Sequence, residues 1–249
     1  MNRVNLVQVY DDTKKKCLDG YYGNLTYGES YSFTANDPRL LNLKLEKKFD
    51  KTNVEVKNED VLSVTRSLTN GVNKVLTLNL ASNCNPGGGV TRGAMAQEEE
   101  LFRRTNYFMS LPKSLYPLRK TNVIYTPNVL VIKDTNYKDL SKPFYTSMIA
   151  AAAIRHPKIN SFGLYDRPSD KEIMLSTIDN IFKTAYLLKY DTLVLGALGC
   201  GAFGNPAMEV ISLFNECLKK YNCCFKNITF AVFSRNDNNF DQFNQYISR

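Results

Sequence analysis

Twice in this chain a run of β-branched and leucine residues passes through a glycine-rich loop into a helical pattern. Val75–Leu80 (VLTLNL) leads to Asn85-Pro-Gly-Gly-Gly89 and on to Gln97-Glu98-Glu99-Glu100. Thr192–Leu195 leads to Gly199-Cys-Gly-Ala-Phe-Gly-Asn-Pro206 and on to a periodic apolar stretch. Strands alternating with helices predict an α/β sheet with helical layers. Ligands of such folds sit at the loops after the strand C-termini.

The remaining pattern agrees with this class. Strands are predicted at Thr52–Val56, Val123–Tyr125, Val129–Ile132, Ser147–Ile154 and Ile228–Phe233. Helices are predicted at Asp12–Leu18, Asp60–Leu68 (ended by Asn70-Gly71), Ala94–Met109, Lys171–Lys189, Pro206–Tyr221 and Asp241–Ile247. In 171–189 the residues Ile173, Ile178, Ile181, Ala185 and Leu188 fall near one face. Residues 1–50 are less regular, with glycine and tyrosine frequent between Tyr21 and Tyr31. The length, 249 residues, allows one or two domains. A 43% hydrophobic content supplies a sizeable core, and 22% charged residues is an ordinary globular value.

Charge and scarce residue types narrow the function. The net charge is +8, and the stretch 101–150 carries eight basic residues against two acidic ones. A local basic field between Arg103 and Lys142 suits a polyanionic partner or a solvated face. There is one histidine, His156, so sites needing two are excluded, HExxH zinc proteases among them; His156 precedes Pro157 in a loop and reads as structural. The six cysteines form no CxxC pair, which argues against a zinc ribbon or a thioredoxin-type site. The N-terminus lacks the apolar core of a secretory signal, and no run approaches the ~18 apolar residues of a membrane span. These features predict a soluble intracellular protein with reduced thiols and no membrane partner.

In the first loop three glycines remove every Cβ, so backbone amides can approach a ligand closely. No GK[ST] follows, so it is not a Walker loop; a tight strand–helix connection is the plainer alternative. In the second, Asn205 is expected as N-cap with Pro206 at the first helical position, turning a helix N-terminus toward the loop. The loop spells GxGxxG, but the acidic residue a dinucleotide site wants about 20 positions on is missing: Cys224 stands there, and the next strand runs into Ser234-Arg235. Glu98, Glu99 and Glu100 follow the first loop. Carboxylates in a first helical turn often serve only the helix dipole, yet here they lie at the mouth of a candidate phosphate cleft, where at most two can face inward.

The motif Asn85–Gly89, the seven residues Val90–Ala96 and then Gln97-Glu98-Glu99 resemble the Gly-Gly-Gly…Gln-Glu-Glu motif of poly(ADP-ribose) glycohydrolases, in the macrodomain superfamily. Leu193–Pro206 (LVLGALGCGAFGNP) looks like the diphosphate loop of their bacterial-type branch, and 54–62, 75–82, 124–134 and 230–233 support it. The resemblance implies a macrodomain-like three-layer α/β/α fold with a mixed central sheet and an N-terminal extension. Residues 51–249 would form the catalytic domain and 1–50 an accessory segment packed on it.

Residue by residue, Glu99 matches the catalytic glutamate and Glu98 the neighbour that fixes ribose hydroxyls. Gly87, Gly88 and Gly89 would cradle the ribose beside the scissile bond, with Asn83 as a hydroxyl partner. Gly199, Cys200, Gly201, Ala202, Phe203, Gly204 and Asn205 would wrap the diphosphate, Phe203 packing near the ribose. Asp60 sits where an acidic residue meets the adenine amino group, with Glu59 as the competing choice. Leu198 departs from the family, where Trp is frequent. The implied reaction cleaves ribose–ribose glycosidic bonds in poly(ADP-ribose), releasing ADP-ribose by glutamate acid/base chemistry in a monomer, without metal or cofactor. The alternatives are a hydrolase of mono-ADP-ribose on protein or DNA, and a non-catalytic ADP-ribose-binding macrodomain. The basic stretch starting at Arg103 and Arg104 would then form a channel for the polymer.

Overall fold

Val75–Leu80 lies in the middle of a seven-stranded sheet, and its first five residues are buried. That is the environment of a parallel strand covered on both faces, and it accounts for a near-continuous apolar run. The computed structural model describes residues 3–69, 71–234 and 237–248. The chain begins with α1 (Arg3–Leu18), β1 (Tyr31–Phe33), α2 (Pro38–Leu41), β2 (Asn53–Lys57), α3 (Val61–Leu68) and β3 (Val75–Leu80). It continues through α4 (Gln97–Arg104), β4 (Val123–Lys133), β5 (Asp139–Ala151) and α5 (Pro168–Leu187). It ends with β6 (Thr192–Leu195), α6 (Ala207–Lys220), β7 (Asn227–Ala231) and α7 (Asn239–Tyr246).

The strand order is β1-β4-β5-β3-β6-β7-β2. β5, β3, β6, β7 and β2 are mutually parallel, while β4 and β1 run antiparallel at one edge. One core cluster joins the sheet to α2, α5, α6 and α7, and a second joins its other face to α1, α3 and α4. The architecture is therefore the expected three-layer α/β/α sandwich on a mixed sheet. α5 shows why a helix forms there: Met174, Ile178, Ile181, Phe182 and Ala185 recur at three- and four-residue spacing and are fully buried. Ile173 and Leu188, expected on that face, are only partly buried.

Several boundaries differ from expectation, each for a local reason. The helix predicted over Ala94–Met109 is confined to Gln97–Arg104. Gly93 takes a left-handed conformation (φ 71°), and Thr105 is extended to bridge Val131. The two strands predicted around Pro127 are one, β4, with a register shift between Thr126 and Val129, where Asn128 has φ 54°. α1 begins at Arg3, well before Asp12, and β5 begins at Asp139 rather than Ser147. The first fifty residues add β1 to the sheet and place Leu6, Tyr10, Phe33 and Leu40 in the core. Of the predicted turn after α3, Gly71 is left-handed at φ 79°, and Asn70 lies outside the described residues, as does Arg235.

Candidate active site

Because β5, β3, β6, β7 and β2 are parallel, their carboxyl ends share one edge of the sheet. Both glycine loops open there, one after β3 and one after β6. α4 follows the first loop and is pinned to β3 by Gln97, whose side chain accepts from Leu80 N at 2.9 Å and donates to Leu78 O at 2.7 Å. One amide thus meets two adjacent backbone groups of the strand, fixing the rotation of α4. Gln97 belongs to the sequence motif but was given no role; a strand-end amide partner has no sequence signature.

That rotation sends Glu98 and Glu99 under the triple glycine. They are 2% and 6% exposed, whereas Glu100 is partly exposed and pairs with Arg103 at 2.8 Å. Two of the three carboxylates therefore face the loop. Glu98 Oε2 accepts from Ser82 N at 2.7 Å, and Oε1 accepts from Asn79 Nδ2 and Gly87 N, both at 3.2 Å. Glu99 Oε1 accepts from Gly89 N at 2.7 Å and Oε2 from Ala96 N at 3.0 Å. The second bond is half of a capping box, Ala96 having no side-chain acceptor to return it. Burial, followed by the amide donors that oppose it and by the adjacent Glu99 carboxylate, sets the Glu98 carboxyl well above its ordinary range, at about 8.

The glycines are needed for space as well as conformation. A Cβ on Gly88 (φ 54°) would lie 2.5 Å from Glu99 Oε1 and 3.1 Å from Glu98 Oε2. A Cβ on Gly87 (φ 73°) would strike the Phe102 ring at 2.6 Å, and one on Gly89 the Ala94 Cβ at 2.8 Å. Asn83, half-buried, stands at the loop's entrance and its carbonyl accepts from Leu118 N at 2.9 Å.

The second loop is braced by its own backbone: Cys200 N donates to Ala197 O, Gly204 N to Gly201 O and Asn205 N to Gly199 O, each at 3.0 Å. Among the described residues no protein group accepts from the amides of Gly201, Ala202 or Phe203, which leaves them for a ligand anion. Asn205 is not the expected N-cap; Pro206 holds that position. Asn205 is buried instead, donating to Ile154 O and Gly199 O and accepting from Tyr165 OH at 2.8 Å, so it braces the loop from behind. Burial pushes the Cys200 thiol up to about 12, which keeps it protonated at neutral pH. Phe203 is partly buried, and Leu198 is fully buried core.

Asp60 is placed differently from expectation. Its Oδ1 caps α3 by accepting from Ser63 N at 3.0 Å, and its Oδ2 accepts from Arg104 at 2.7 Å. Both oxygens already serve the fold, while Glu59 beside it is exposed. The expected basic channel is corrected as well. Arg103, Arg104 and Lys133 are 0%, 3% and 2% exposed. Arg103 donates to Leu6 O, Ala94 O and Glu100; Arg104 to Asp60 and Lys133 O; Lys133 to Asp12 and Asp139. Their charge is spent inside the molecule, so a polymer path cannot begin there. One exposed aromatic, Phe233, was not singled out; at 55% exposure it follows β7, where Ser234 N donates to Asn58 Oδ1 beside Glu59.

Residues 21–134 match the family described as "Microbial-type PARG, catalytic domain". Among solved structures, the poly(ADP-ribose) glycohydrolase of Thermomonospora curvata aligns at a TM-score of 0.86 and 23% identity, covering 97% of this chain and 99% of that one. The Deinococcus radiodurans poly(ADP-ribose) glycohydrolase in complex with ADP-ribose aligns at a TM-score of 0.75 and 26% identity, covering 87% and 93%. Among curated proteins no sequence matches. A family match over residues 21–134 and a fold shared with bacterial poly(ADP-ribose) glycohydrolases both agree with the geometry of the two loops.

Proposed function

We propose that the protein hydrolyses the ribose–ribose O-glycosidic bonds of poly(ADP-ribose), releasing ADP-ribose, with Glu99 as general acid and base. The observation that carries the roles is the seating of Glu99. It is buried under a glycine loop that no side chain could replace, and both its oxygens are held by backbone amides.

A ligand laid across this edge would place its diphosphate on the amides of Gly201–Phe203 and its reacting ribose against Gly87–Gly89, with Asn83 at a hydroxyl. Its adenine would lie by Phe233 and the Glu59–Asp60 corner. Glu99 gives its proton to the departing 2′-oxygen as the bond to the anomeric carbon breaks, the bonding pair leaving with oxygen. The anomeric carbon becomes oxocarbenium-like, and the nearby diphosphate offsets part of its charge. Water then adds to that carbon and Glu99 takes a proton back. Glu98, holding its proton up to about pH 8, spares the site two adjacent buried anions once Glu99 has given up its own proton. All these groups come from one chain, so a monomer suffices. We assign 51–249 as the catalytic unit with 1–50 as its accessory segment. The six unpaired cysteines support a reducing intracellular compartment.

The test is Glu99→Gln. Loss of a general acid–base group should lower ADP-ribose release from polymer by about 10²–10⁴-fold, while calorimetric affinity for ADP-ribose stays within a few-fold. Retained hydrolysis in that variant rejects the assignment of Glu99. A wild-type protein that binds ADP-ribose but releases none from polymer would point to a binding module, and one active only on mono-ADP-ribosylated protein or DNA to the other hydrolase class.

A further inference from the structure

A small hairpin follows β5 and is braced against the second glycine loop. After β5 the chain runs along the second glycine loop: a Cβ on Gly199 would lie 2.4 Å from Ala153 Cβ, and His156 N donates to Phe203 O at 2.8 Å. It then folds back, with Ile159 bridging Tyr165 and Asp166 N donating to Lys158 O at 2.9 Å. At the tip Asn160 Oδ1 accepts from Phe162 N at 2.9 Å and Leu164 N at 3.1 Å. The base is tied to the site itself: Tyr165 N donates to Glu209 Oε2 at 2.5 Å and its hydroxyl to Asn205 Oδ1 at 2.8 Å.

So braced, the hairpin holds Phe162 in solvent, 85% exposed, the most exposed large apolar side chain described. A lone exposed apolar residue is ordinary. This one is aromatic, sits on a tied turn and has exposed Arg155 and Lys158 at the foot of the same hairpin. A ring held near cations is how proteins take a base together with its phosphates.

The direction follows from the strand order. On the proposed reading, adenine by β2 and β7, diphosphate after β6 and scissile ribose after β3 would follow successive strands, and the next in the sheet is β5, on which the hairpin is rooted. We infer that the 155–167 hairpin is a subsite for the leaving-group nucleotide, Phe162 stacking on its adenine and Arg155 and Lys158 meeting its diphosphate. This rests on the glycohydrolase reading and sharpens it. The substrate becomes a chain of at least two ADP-ribose units, since a protein side chain as leaving group offers neither base nor diphosphate.

The test measures binding apart from turnover. A purified two- to three-unit ADP-ribose oligomer and ADP-ribose itself are titrated into Glu99→Gln protein, with and without Phe162→Ala. Loss of one stacked base should weaken the oligomer about tenfold, roughly 1.4 kcal/mol, and leave ADP-ribose within about twofold. Phe162→Trp should restore oligomer affinity, and Lys158→Ala should flatten its salt dependence. An oligomer that binds no tighter than ADP-ribose, or a Phe162→Ala effect absent or equal for both ligands, overturns the subsite. Wild-type protein that releases no ADP-ribose from polymer while the selective Phe162 effect persists overturns the glycohydrolase reading alone and leaves an oligomer-binding subsite.

Discussion

At the scale of single residues, Gly88 marks how tightly the site is drawn, because Glu99 Oε1 lies 2.5 Å from where a Cβ would be. Gly88→Ala has to move either the loop or the carboxylate, and a displacement of about 1 Å can cost a hundredfold in rate. We expect about that loss in polymer turnover with an unchanged circular dichroism spectrum; near-wild-type turnover would mean that the loop has slack. Glu98 makes a second residue-level prediction. Its pKa rises from the ordinary 4.5 to about 8 in the folded chain, so between these values the folded state binds more protons than the unfolded. The stability this group contributes is complete below about pH 4.5 and is lost as pH rises through about 8. Denaturation at pH 5 and pH 8.5 should show that decline, and Glu98→Gln should flatten it. The glutamate pair and its glycines were legible in the sequence because both lie in one short stretch, residues 87–99, and neighbouring positions on α4 decide which carboxylates face the loop. The raised pKa of Glu98 was not legible, since it depends on burial and on the opposing donors Asn79 and Ser82, many residues away.

At the scale of elements, α4 is held from three sides: Gln97 on β3, Arg103 on α1 through Leu6 O, and Arg104 on the α3 cap through Asp60. Asp60 therefore ties the start of one helix to the end of another. Asp60→Ala removes a cap worth ~1 kcal/mol and strands a 4%-exposed guanidinium side chain, at a further ~3–5 kcal/mol. A melting temperature lowered by about 10 °C is expected for a chain of this size. A change confined to ADP-ribose affinity would instead return Asp60 to ligand contact. The sequence points Asp60 toward an adenine and Arg104 toward a polymer channel; their 44-residue separation hides the ion pair that joins them. The strands Val75–Leu80 and Thr192–Leu195 were legible to the residue, being apolar runs bounded by turn residues. α4 was over-extended, because the break at Thr105 comes from pairing with Val131, a tertiary event.

At the scale of the whole molecule, the +8 surplus has no single address. Three of the eight basic residues in 101–150 are buried and paired. Lys113, Arg119, Lys120, Lys138 and Lys142 remain at the surface. Reversing Lys138 and Lys142 together should change polymer turnover by less than twofold at physiological salt, where charges beyond ~8 Å are largely screened. A large loss would place a polymer path along β5 after all.

The sheet order also sets a timetable. β2 lies at one edge and pairs only with β7, Asn53 meeting Asn227 across 174 residues of chain. During synthesis the corner that carries Glu59 and Asp60 is made before β7, and its strand waits unpaired until the chain 174 residues further on has emerged. Contacts closing so long a loop form late and leave a strand edge open meanwhile. The corner that carries Glu59 and Asp60 is therefore the last to be assembled, and a chain halted before β7 should show β2 amides open to hydrogen exchange while those of β3 are already protected.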